Sequence, residues 1–337
     1  MERTLRKYRK AIEENRISPH ILYDGKSSGI IVDPGDDSIP VDLIGFGACQ
    51  LQGAPISLEA EGREMVFVPV EGRILLAVGR LSFDLRREGG PFARLPARSN
   101  SSAVYVPPGE KICLDGEGEI IFFSAPATSG KAPRKIDVEK AGFRSVGAGI
   151  WRRDITILVT PEDISSNLTV GETYSPPGLW SGTPLHVHDK QDPQNGQSDH
   201  EEVYYHRFRL RKDGSFGPYG IQLLFNGGDL NKAYVIRDRS VIAIPGASHP
   251  VIAGPVSDLN YFWGLAGDGS RLTMFDIPEF RYLKIIERIL AELERKRGTG
   301  EVRRENLSEW KELEGFSSYH WGMLEMILRE RGFMLVR

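Results

Sequence analysis

The chain has 337 residues, 40% of them hydrophobic, and a formal net charge of −3. That length can bury more than one core, so two domains are the first expectation. The near-neutral balance offers no basic footprint for nucleic acid, and no apolar run reaches the ~20 residues of a membrane-spanning helix. Gly (37) and Pro (21) make up about one residue in six, above the usual share of about 12% and suited to a turn-rich β protein.

In chain order, the opening MERTLRKYRKAIEENR is charged throughout and has no apolar h-region, so a cytoplasmic location is expected. Residues 3–16 read as a short surface helix within a segment 1–20. A first β-domain is expected over 21–135: MVFVPV, RILLAVGRLSFDL, AVYVPPGEKICL and EIIFFSAP are short β-runs with Gly/Pro punctuation, as in a sandwich or barrel. Residues 124–135, SAPATSGKAPRK, read as a linker. A second β-domain is expected over 136–279. VYVPPGEKICL and IAIPGASHPVIA share a strand, a Pro-Gly turn and another strand. Four residues on from Pro245 comes His249, whereas four on from Pro108 comes Ile112, and the first copy has no H-x-H. A metal is therefore expected only in the second domain. Cys49 and Cys113 have no metal-type spacing and read as reduced thiols.

The tail, 280–337, differs in kind. Leu283, Ile286, Ile289, Leu290 and Leu293 recur at three and four and predict a helix over 281–297, stopped by Gly298. A second helix is expected from Asn306, with Glu309 as its capping-box partner, and a third over 319–331. Their apolar faces need a β-domain or another subunit to pack on.

The chemistry concentrates in residues 178–207 and at His249. His186 and His188 stand two apart, which on a strand points both imidazoles to one face. After a polar insert, Glu202 opens a β-run that can return beside them as a hairpin. His186, His188, Glu202 and His249 form a three-nitrogen, one-oxygen set suited to one Zn, Mn, Fe or Ni ion. Counting by twos from Glu202 puts Tyr204 and His206 on its face as candidate proton-transfer groups. Val203, Tyr205 and Arg207 point the other way, and so does Glu201, which is not taken as a ligand.

The run W-S-x-x-P-x-H-x-H-D (180–189), followed by E-E-x-Y-Y-H-R (201–207), resembles the 5-deoxy-glucuronate isomerase family of myo-inositol catabolism, among the bicupin sugar-acid ketol-isomerases. GAGIWRRDITILVTPEDISSNLTVGETYSPPGLW, AVYVPPGE and HPVIAGPVSDLNYFWGLAG support it, and the likeness spans roughly residues 20–278. The resemblance implies an all-β bicupin with a C-terminal helical extension. It also implies a metal-dependent aldose–ketose isomerase of a deoxy or keto uronic acid, working as a homo-oligomer without nucleic acid or membrane. A sugar acid needs a cation for its carboxylate, and Lys190 and Arg207 are near enough in sequence to serve. Two other readings fit the ligand set: a cupin dioxygenase or oxidase using Fe or Mn, and a non-catalytic sugar-binding cupin. One departure stands beside the metal histidine. The family pattern P-R-G-Y-H is here Pro245-Gly246-Ala247-Ser248-His249, without its arginine and tyrosine.

Overall fold

The computed structural model describes residues 3–93, 99–209, 217–267 and 271–336. Strands Arg63–Val78 and Lys111–Pro126 pair antiparallel along nearly their whole length and form the spine of a first β-unit. Gly29–Val32 and Gly45–Gln52 extend that sheet on one side, Ala103–Val106 and Arg134–Ile136 on the other. Because side chains alternate, the sheet has two buried faces. One sends Phe67, Ile74, Leu76, Ile112, Leu114 and Phe122 into an apolar core. Ile112, the counterpart of His249 by count, is thus a core side chain. The segment expected as a linker is strand at both ends, since Lys111–Pro126 runs into it and Arg134–Ile136 pairs with Ala103–Val106.

The second unit is built on Gln197–Phe208, which lies between Ser240–Ile244 and Leu259–Gly267. Leu168–Ser175, Arg153–Val159 and Gly142–Val146 follow in order beyond the latter. A four-stranded sheet of Trp180–Ser181, Val251–Ala253, Gly220–Phe225 and Asn231–Ile236 stands with it. Two expectations for the N-terminus are corrected here. His20–Leu22 pairs with Ser240–Ile244, so residues 20–22 join the second sheet rather than open the first. The helix Arg3–Glu13 is not a plain surface helix, because Leu5, Tyr8 and Ile12 share a buried core with Leu224, Leu230 and Ile236. Their three-and-four spacing makes one apolar stripe that the second unit covers.

Gln197–Phe208 is buried on both faces. Tyr204 packs inward with Ile242, Ile244 and Tyr261. Val203 and Tyr205 face a separate core that also takes Val66, Val68 and Phe123 from the first unit. Buried carboxylates pin this joint. Glu64 accepts the backbone N–H groups of Ser166, Asn167 and Leu168. Both carboxylate oxygens of Glu172 accept from Arg87 Nη2, at 2.9 and 2.8 Å. Glu201 accepts the Thr4 hydroxyl and the N–H groups of Asp42, Leu43 and Ile44, which accounts for its pointing away from Glu202. Both cysteines are free thiols.

The helix Arg281–Arg297 forms as expected, and Ser318–Glu330 is capped by Ser317 with His320 closing a capping box. The helix expected from Asn306 is instead two 3₁₀ turns, Arg304–Leu307 and Lys311–Gly315. The reason lies in the period: Leu307, Trp310, Leu313 and Phe316 recur every three residues, the repeat of a 3₁₀ turn. These elements enclose a core of their own, which takes in Ala148, Trp151 and Trp180 from the second unit.

Candidate metal centre

Residues 186–202 form an irregular hairpin rather than one long strand with its mate. His186–Val187 pairs with Phe275–Asp276, while Asp189–Asp192 pairs back on Gln197–Phe208. The His200 N–H donates to the His188 carbonyl at 2.7 Å, which brings Glu202 alongside. The turn before His249 is held from the same hairpin, because the Ala247 N–H donates to Asp189 Oδ2 at 2.7 Å. Ligand atoms of His188, Glu202 and His249 consequently lie within 4.8 Å of one another, and all three residues are buried. His186 stands at the rim of this group. Its ring centroid is 6.1 Å from that of His249 and 6.4 Å from that of His188.

Hydrogen bonding assigns the tautomers. Nδ1 of His186, His188 and His249 meets the carbonyl oxygens of Pro184, His200 and Ala247 at 3.0, 3.0 and 2.8 Å. A carbonyl only accepts, so each Nδ1 carries a hydrogen, and in the neutral ring Nε2 keeps its lone pair. Oε2 of Glu202 lies 3.2 Å from His188 Nε2 and 2.9 Å from His249 Nε2. The short His249 contact is off the line of a hydrogen bond, and that buried Nε2 has no hydrogen-bond partner. An orphaned nitrogen facing a carboxylate, with a second imidazole beside it, is what a divalent transition ion satisfies, with backbone carbonyls orienting the rings from behind. The residues present therefore fit the group. Burial, reinforced by His249 and His188, holds the His186 imidazole down at about 3, in the neutral form a ligand needs. Burial would raise the Glu202 carboxyl, but the imidazoles of His188 and His249 beside it outweigh burial and hold the group at about 2.

The KduI/IolB family model matches residues 20–283. The chain belongs to the KduI/IolB family. Relatives of this KduI/IolB member include the 5-deoxy-glucuronate isomerase of Geobacillus kaustophilus, 25% identical over 245 residues, covering 71% of this chain and 85% of that protein. The 5-deoxy-glucuronate isomerase of Bacillus subtilis is 24% identical over 235 residues, covering 68% and 83%. An IolB-like protein from Salmonella typhimurium superposes with a TM-score of 0.71 at 23% identity, over 79% of this chain and 98% of that one. An oxalate decarboxylase of Bacillus subtilis does so at 0.51 and 9% identity, over 82% and 83%. The fold is accordingly an all-β bicupin with a C-terminal helical extension.

The other sequence-predicted residues of this KduI/IolB chain divide. Tyr204 lines the site, with its ring 5.7 Å from that of His249 and 4.6 Å from that of Tyr261. Burial pushes its phenol well above the usual range, so it is present as O–H. His206 faces the same way but is fully buried, with Nδ1 on the Ser240 carbonyl and Nε2 3.4 Å from Gln222 Oε1. With Nδ1 spent on a carbonyl and the ring fully buried, it forms part of the interior wall of the second unit. Arg207 is corrected as a substrate group: alternation turns it to the joint between units, where it pairs with Asp238 at 3.0 Å and Glu119 at 3.3 Å. Lys190 is corrected too, being exposed on the hairpin insert and paired with Asp192 at 2.8 Å. Sequence reasoning missed Tyr261, whose hydroxyl lies 2.6 Å from Ser181 Oγ, and Arg153, which follows Trp151 in WRRDITIL. Their signal was position on β-runs already in view, without the register that faces them inward.

Proposed function

We propose that this chain is a metal-dependent aldose–ketose isomerase of a deoxy or keto uronic acid, with 5-deoxy-glucuronate of inositol catabolism the leading substrate. Membership in the family and the names of its relatives make it an isomerase; the metal, the substrate and the residue roles are the proposal. The observation that carries it is the hydrogen-bond pattern: three imidazoles spend Nδ1 on carbonyls, and Nε2 of His188 and His249 lies 3.2 and 2.9 Å from Glu202 Oε2. His186, His188, Glu202 and His249 would hold one divalent Zn, Mn, Fe or Ni ion, which when bound polarises a substrate carbonyl or hydroxyl as a Lewis acid.

The protein's own groups do the rest. Tyr204 enters as a neutral phenol, so it donates its O–H to a substrate oxygen and is a poor base. Packing against the tilted ring of Tyr261, itself fixed by Ser181, holds that phenol in place. Ile242 and Ile244 beside it keep water from the reacting oxygens. The first β-unit, with an apolar core where the second has ligands, serves as a structural partner.

The test is direct. Protein purified without chelator should carry about one transition ion per chain, and NMR of a uronate panel should show isomerisation that stops when the metal is stripped. Metal-loaded protein that isomerises no uronate refutes the reading.

A further inference from the structure

A sugar acid bound here needs a cation, and the family's arginine before the metal histidine is replaced by Gly246. No side chain can return at that place. A Cβ on Gly246 would stand 2.4 Å from Asp189 Cβ, with φ at +139°. The cation has to come from elsewhere in the barrel, and Arg207 and Lys190 are paired away from it.

Register identifies the alternative. Ile155 lies opposite Thr173, Thr173 opposite Tyr261, and Tyr261 opposite His206. Alternation then puts Arg153 on the same sheet face as Tyr261, Tyr204 and Glu202. Among the described residues its guanidinium makes one hydrogen bond, from Nη1 to the Trp151 carbonyl at 3.2 Å, and no ion pair. Burial lowers its pKa, and the groups whose charge reaches it are Tyr261, Glu287 and Tyr204. A half-buried guanidinium with most of its fork unspent among the described residues is suited to a carboxylate.

Glu287 is the one acid in that set. It sits on the helix Arg281–Arg297, beyond residue 283 where the family match ends. Its carboxylate accepts the Trp151 indole N–H, and burial raises its pKa. It stays outside ion-pair distance of Arg153 yet acts on the same charge. We propose that Arg153 receives the carboxylate of the sugar acid, and that Glu287, supplied by the C-terminal extension, sets how strongly it does so. The substrate class rests on the isomerase reading, whereas the arrangement of the pair does not. Glu287 offsets part of the field of Arg153, so a carboxylate docked on the fork binds less tightly than it would without that charge, while a neutral sugar is unaffected.

Binding, rather than turnover, tests it. The full chain loaded with Mn²⁺ is titrated calorimetrically with D-glucuronate and with D-glucose. The wild type should prefer glucuronate, and Arg153→Ala should weaken glucuronate alone by about 10- to 100-fold. Arg153→Lys, which keeps charge without the fork, should fall between, and it carries the test if the alanine variant does not fold. Glu287→Gln keeps the Trp151 hydrogen bond and should tighten glucuronate about 3- to 10-fold. Wild type without glucuronate preference, equal loss of both sugars, or unchanged glucuronate affinity in the Arg153 variants overturns the anion site. Unchanged affinity in Glu287→Gln overturns the role of the extension. Arg153-dependent binding without isomerisation would refute the isomerase reading and leave the anion site standing.

Discussion

Replacing Glu202 by Gln keeps the side chain's size and removes one charge, the charge that stands 2.9 and 3.2 Å from two imidazole Nε2 atoms. Loss of an outer-shell partner already weakens metal binding 10- to 100-fold, so loss of a ligand's charge should cost at least about 100-fold. With free metal held 100-fold above the wild-type Kd, binding adds about 2.7 kcal/mol to stability. The variant at the same concentration would be near half occupancy and gain only RT ln 2, about 0.4 kcal/mol. Denaturant unfolding with and without metal reads the difference of about 2 kcal/mol, and elemental analysis after dialysis reads the ion per chain. The stripped variant serves as its own reference, so any direct effect of the substitution on folding cancels. If Glu202→Gln keeps its ion and its metal-dependent stabilisation within about 0.5 kcal/mol, Glu202 is not a ligand and the site has been misassigned.

Arg207→Ala should lower stability by about 1–3 kcal/mol, because Glu119 and Asp238 at the joint between units lose one of their two arginines and keep Arg239, while metal content and glucuronate affinity stay unchanged. Lys190→Ala, on an exposed side chain, should move stability by less than about 0.5 kcal/mol, and a loss of uronate binding there would contradict its placement. Burial holds His206 at about 4 in the folded chain, against about 6.5 unfolded. The unfolded chain therefore takes up the extra proton, so this contribution is intact above pH 6.5 and is lost as pH falls toward 4, by up to ~3 kcal/mol. In metal-free protein, unfolding free energies against pH should be flatter across that window in His206→Gln than in wild type. Ile286→Ala opens a cavity in the core of the extension and should cost about 2–5 kcal/mol. Hydrogen exchange should show residues 281–297 loosened while the ion is retained; loss of the ion would mean that the extension holds the ligands directly.

His188, Glu202 and His249, three of the four residues expected as ligands, are brought together by the fold, and they were legible because each piece is local. The H-x-H spacing, Glu202 at the head of a β-run and His249 after a Pro-Gly turn are patterns within a few residues, and alternation separates Glu202 from Glu201 without any knowledge of partners. The helix Arg281–Arg297 was legible for the same reason, a stripe at three and four. The turns after it were misread because Asn306 and Glu309 were taken for a capping box, when Leu307, Trp310, Leu313 and Phe316 follow the 3₁₀ repeat. Arg207 shows the limit of the method from the other side: alternation already turned it away from Glu202, but only the fold supplied Glu119, 88 residues distant in sequence, to hold it there. Tertiary structure alone decided what depends on register between strands far apart in the chain. It put His20–Leu22 on the second sheet, closed Leu5 and Ile12 into its core, faced Arg153 toward Tyr204 and Tyr261, and carried Glu287 to the same place. A sequence encodes which way a side chain points relative to its neighbours; which surface waits for it is settled by packing among elements that local pattern does not connect.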